Sequence, residues 1–119
     1  MTRRDDGSVT VEAALGLAGL TVLALLLLAA MTIVTAQLHC TDAAREAARL
    51  LARGQPAQAE AAVRQIAPPG ATLDVQHTGE EITVRVAANP ADTLLPAINL
   101  KATAYALAEP GTEAPNASR

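Results

Sequence analysis

The sequence predicts an α+β fold: one long N-terminal helix, a short second helix and a small antiparallel sheet of about three strands. Three observations carry that prediction. No charged residue occurs from Ala13 to Leu38. An apolar stripe then recurs at Ala59, Ala62, Val63 and Ile66, the i, i+3, i+4, i+7 spacing of one helical face. After Pro68-Pro69-Gly70 the period changes to two, as a half-buried strand requires.

The long helix is predicted from Ser8 to Gly54. Proline is absent from that stretch, Gly16 and Gly19 are its only internal glycines, and leucine and alanine dominate it. At about 1.5 Å of rise per residue, the uncharged run exceeds the roughly 30 Å hydrocarbon thickness of a bilayer. It therefore reads as a single membrane-spanning helix over 13–38, preceded by a polar leader, 1–7, that holds Arg3, Arg4, Asp5 and Asp6. From 39 to 54 the character changes. Arg45, Arg49 and Arg53 recur every four residues along one face, while Ala44, Ala47, Ala48, Leu51 and Ala52 form an apolar side. Gly54 reads as the C-terminal stop.

Residues 55–109 are expected to form a small α+β domain. Gln55-Pro56 opens the second helix. Leu73 and Val75 then alternate with Asp74 and Gln76, and Ile82, Val84 and Val86 alternate with Glu81, Thr83 and Arg85. "TGEE" between them suits a tight hairpin at Gly79-Glu80. Ile98, Leu100, Ala102, Ala104 and Ala106 give a third alternating segment, after a looser stretch around Leu94-Leu95 that holds Asn89-Pro90 and Pro96. Pro110 onward has no core-forming residues and is expected to be disordered.

Composition narrows the function. A net charge of −3 and a single aromatic residue, Tyr105, give nucleic acid neither a basic patch nor a stacking platform. One cysteine, Cys40, excludes a disulfide within the chain and any metal site built on paired cysteines. Cys40 follows His39, but adjacent helical residues point about 100° apart and do not form a nucleophile and its base. With two histidines and no carboxylate cluster, the sequence points to no catalytic residue, metal, cofactor or small-molecule substrate. The arginine face at 45, 49 and 53 could contact anionic headgroups or a partner's acids, or pair locally with Asp42 and Glu46.

Glu12 stands at the lip of the uncharged run. The capping box needs an acid or amide three residues after Ser8, where Val11 stands, so Glu12 does not complete one. Ser8 and Glu12 are four apart and share a helical face. That spacing suits a carboxylate opposite a free amine at residue 8.

"GSVTVEA" resembles the processing site of type IV pilin precursors, in which a prepilin peptidase cleaves after a glycine and the mature chain carries glutamate at its fifth position. Counted from Ser8, Glu12 is fifth. "DAAREAARLLARG" and "INLKATAYALAE" are similar to the post-membrane segment and the closing strand of TadE-like minor pilins of the tight-adherence system. The resemblance covers Gly7 to Glu109. It implies cleavage between Gly7 and Ser8, and pairing of Glu12 with the N-terminal amine of a neighbouring subunit to set register. It further implies that the partners are other pilin subunits, the assembly complex and the peptidase. The N-terminus would lie in the cytoplasm and the C-terminal domain outside. Two alternatives compete: a secreted protein cut by signal peptidase after Ala36, and an unprocessed single-pass regulator that keeps residues 1–7.

Overall fold

The computed structural model describes residues 3–89 and 98–111 of the chain. The chain divides into two compact units, Met1–Val34 and Thr35–Arg119. Helix α1 (Arg3–Ala52) and helix α2 (Pro56–Ile66) precede strands β1 (Thr72–Thr78), β2 (Glu81–Ala88) and β3 (Leu100–Leu107). The fold is α+β, as expected from the sequence.

Helix α1 begins at Arg3, five residues earlier than the sequence suggested. Residues 3–7 of the expected leader are therefore part of the helix. Asp5 and Asp6 occupy its first turn, where acids complement the positive end of the helix dipole, and Gly7 alone does not break it. The helix stops at Ala52 through a left-handed turn. Gly54 adopts φ 71°, its amide donates to the Leu51 carbonyl at 2.9 Å, and the Gln55 amide donates to the Leu50 carbonyl at 3.0 Å. These two bonds form the Schellman arrangement, which satisfies carbonyls that would otherwise be left over at the helix end. Pro56 then starts α2, where its missing N–H costs no helical bond.

The sheet is a meander in the order β1-β2-β3, antiparallel throughout. Thr78 pairs with Glu81, so Gly79 and Glu80 form a two-residue hairpin loop with Gly79 at φ 64°. β2 is central, and its inward residues Ile82, Val84, Val86 and Ala88 are all buried. Directly opposed residues share a face, so Leu73, Val75 and His77 join them from β1, and Leu100, Ala102, Ala104 and Ala106 from β3. Ile98, expected at the head of β3, precedes the strand. The loop around Leu94-Leu95 lies outside the described residues, as does the expected tail beyond Gly111.

The helical layer of this unit supplies the other half of the core. Cys40, Ala43, Ala44, Ala47 and Ala48 are buried at the spacing of one helical stripe, joined by Leu50 and Ala52. Leu50 takes the buried position expected for Leu51, which is half-buried. From α2, Ala59 and Val63 are buried. The chain has no Phe or Trp, so the core is built from small aliphatic side chains. Two polar bonds tie β3 to α1. The Gln37 side-chain amide donates to the Lys101 carbonyl at 2.9 Å, and the Glu109 amide donates to the Ala52 carbonyl at 3.1 Å. Residues 37–52 cover roughly 22 Å of helix, and residues 101–109, β3 and the two residues after it, span roughly 27 Å if extended. β3 and this part of α1 therefore run side by side in the same direction.

Candidate functional site

The N-terminal part of α1 presents apolar side chains to its surroundings all along its length. Leu15 is 69% exposed, Leu20 63%, Leu28 65% and Met31 69%. A helix apolar all round belongs in a membrane or against other helices, because water penalises such a surface. By length and composition the span Asp5–Ala52 is able to cross a bilayer. The threonines within it do not oppose that. The hydroxyls of Thr10, Thr21 and Thr32 donate to the carbonyls of Asp6, Leu17 and Leu28 at 2.9, 2.8 and 2.9 Å, so each finds its acceptor inside the helix.

Gly7, Ser8 and Glu12 all lie in continuous helix. Ser8 and Glu12 fall one turn apart on one face, as their spacing requires. Because the helix starts at Arg3, Glu12 sits in the third turn rather than the first. The interaction of a carboxylate with the helix dipole fades within the first turn, so the dipole does not account for Glu12 in the intact chain. Glu12 is exposed, and no ion pair to it forms among the described side chains. A Cβ added at Gly7 meets nothing within 4 Å.

The three arginines are not equivalent. Arg49 donates from Nε to Glu46 Oε2 at 3.0 Å and from a second guanidinium nitrogen to Oε1, forming a bidentate pair. Hydrogen bonding from Arg49 draws the Glu46 carboxyl below the usual carboxylate range, and the same bond pushes Arg49 up. Arg45 and Arg53 remain exposed. A shallow groove of about 500 Å³ between α1 and α2 is lined by Asp42, Arg45, Glu46, Arg49, Ala62, Gln65 and Ile66. Two acids face two bases in it. The local pairing considered from the sequence is thus realised at Arg49, and the face as a whole is close to neutral.

His39 is exposed whereas Cys40 is fully buried, so the two side chains leave the helix in different directions. Burial pushes the Cys40 thiol above its ordinary value, the opposite of what a nucleophile needs. His77 is exposed near the hairpin end of β1. Sequence reasoning did not find Gln37, whose bond to Lys101 crosses 64 residues. A glutamine at the end of an apolar run was the only local signal for it.

No family model matches the chain, and no solved structure matches it. Among curated proteins, one from Mycobacterium tuberculosis (strain ATCC 25618 / H37Rv) named apoptosis inhibitor Rv3655c is 45% identical over 103 residues, which cover 87% of this chain and 81% of that protein.

Proposed function

This chain belongs to the same family as that Mycobacterium tuberculosis protein, and from its own residues we propose that it is a TadE-like minor pilin or pseudopilin of a tight-adherence type IV pilus. A prepilin peptidase removes residues 1–7, the apolar part of α1 inserts in the cell membrane with its N-terminus cytoplasmic, and the small α+β unit lies outside. The subunit then joins other pilin helices in the assembly complex. It performs no chemistry of its own.

The observation that carries this reading is the placement of Glu12. It is a carboxylate in the third turn of a helix, on the face of Ser8, at the edge of an uncharged apolar run. An unpaired carboxylate in apolar surroundings costs several kcal/mol or forces protonation, so a subunit that buries it needs a cation there. Cleavage after Gly7 creates an ammonium at Ser8 on each neighbouring subunit. Only the stagger that brings the two together avoids the cost.

The N-terminal residue of the protein recovered from cells, read by peptide mass spectrometry, tests this. Ser8 is expected. Gln37 would point to a secreted product of signal peptidase, and an intact leader to an anchored regulator; either rejects the pilin. Gly7→Ala, which the helix accommodates without a clash, is expected to leave precursor in the membrane. Glu12→Ala is expected to be cleaved normally yet fail to assemble, and normal assembly would remove the register role.

The relative's name supports a second reading, in which this chain too inhibits apoptosis. Mature protein added to cells driven into apoptosis lowers caspase activation on that reading and leaves it unchanged on the first.

A further inference from the structure

The one aromatic side chain in the sequence, Tyr105, is 69% exposed, and Leu107, two residues along the same face of β3, is 71% exposed. After Leu38 these two are the exposed large apolar side chains among the described residues. Tyrosine beside leucine is the composition of an interface centre rather than of a solvated sheet face. Glu81 is paired with Leu107 and so projects on that face as well. Together with Ala106 the three line a shallow pocket of about 470 Å³. A ring, an aliphatic wall and a carboxylate are what a guanidinium needs, since the ring face attracts the cation and the carboxylate pairs with it.

We propose that this pocket receives Arg45 of a neighbouring copy of the chain, with the helical layer of one copy laid against the outer sheet face of the next. Every copy carries both halves. Neither Glu81 nor Arg45 forms an ion pair among the described residues, whereas Arg49 is taken by Glu46. The two halves do not meet within one copy, because the helices cover the inner face of the sheet and Glu81 lies on the outer one. Their heights agree. β3 is tied to α1 at Lys101 with Gln37 and at Glu109 with Ala52. Tyr105 lies midway between the two strand ties, and Arg45 about midway between the two helix ties. Copies side by side in the same direction therefore bring Arg45 level with the neighbouring Tyr105. A second match follows, because Arg85, paired with Thr103 in the first half of β3, comes level with the neighbour's Asp42. Docked in the opposite direction, Arg85 would meet Arg49 and Glu81 would meet Asp42, so like charges disfavour it. The contact joins two different faces and thus repeats from copy to copy as a row or a ring. It goes beyond the function proposed above and does not depend on cleavage after Gly7.

Energy transfer between two labelled pools of the full chain in detergent tests the contact. Glu81→Arg in both pools, or Arg45→Glu in both, is expected to weaken association at least about fivefold, because each places like charges at the pocket. Tyr105→Ala should weaken it with every charge intact. A pool of Glu81→Arg mixed with a pool of Arg45→Glu should recover to within about twofold of wild type, since opposite charges then face each other in both directions. All three side chains are exposed, so protease resistance of the folded unit should not change. Association unaffected by either reversal, a mixture as weak as each variant alone, or a wild-type chain that does not self-associate overturns the proposal.

Discussion

Cys40 and Glu12 show how one side chain's surroundings decide what it can do. Cys40 belongs to the buried stripe on α1, at 0% exposure. Its thiol ionises less readily in the folded chain than in the unfolded one, because burial penalises the thiolate. A raised value in the folded state contributes stability below the ordinary thiol value of about 8.5, and that contribution is lost as pH climbs through the raised one. Alkylation by iodoacetamide at pH 8 should therefore be at least about tenfold slower in the folded protein than in urea. Equal rates would place Cys40 outside the core. Glu12 has the contrary problem, a charged group with no partner among its own chain's described side chains. The difference between the two was legible in the sequence, since small residues surround Cys40 at helical spacing and an uncharged run follows Glu12. The pairing of Arg49 was half-legible: Glu46 precedes it by three residues, yet nothing local showed that Arg45 and Arg53 would be left exposed.

At the scale of elements, the chain's punctuation did most of the specifying. Gly54 lies in the left-handed region, which costs a residue with a Cβ about 1–2 kcal/mol. Gly54→Ala should lower stability by about that amount, a fall of roughly 4–8 °C per kcal/mol for a unit of this size, measured by loss of helical signal in detergent. An unchanged midpoint would mean that the Schellman turn does not hold the end of α1. The ends of α2, the hairpin and the alternation of β1 and β2 were all readable because proline, glycine and period-two patterns act locally. The start of α1 was expected at Ser8, whereas the helix is already formed at Arg3, because the aspartates before Gly7 are favourable in a first helical turn. The place of β3 beside β2 was not legible, because the β2–β3 connection carries no turn motif that fixes it.

The molecule as a whole relies on a thin core. Ile82, Val84 and Val86 are its largest fully buried side chains apart from Cys40, and the one aromatic residue, Tyr105, is 69% exposed on the outer sheet face. Cores of this size supply only about 3–5 kcal/mol. Ile82→Ala should cost about 2–5 kcal/mol and leave the α+β unit largely unfolded. The exposed Arg85→Ala should change stability by less than about 0.5 kcal/mol. Protease resistance of the two variants in membranes measures the contrast, and an Ile82→Ala unit as resistant as wild type would show that β2 is not the centre of the core. The sequence indicated the ingredients of this core but not the two polar ties between α1 and β3, since a side-chain amide meeting a carbonyl 64 residues away leaves no periodic trace.

Those ties also impose an order on synthesis. The stripe Cys40–Ala48 leaves the ribosome before Lys101 and Glu109, which latch β3 along the same helix. Until those residues have been made, half of the latch does not exist. A nascent chain thus passes through a stage in which a membrane-competent helix is complete and its folded companion is not, and holdase chaperones would have their substrate in that interval.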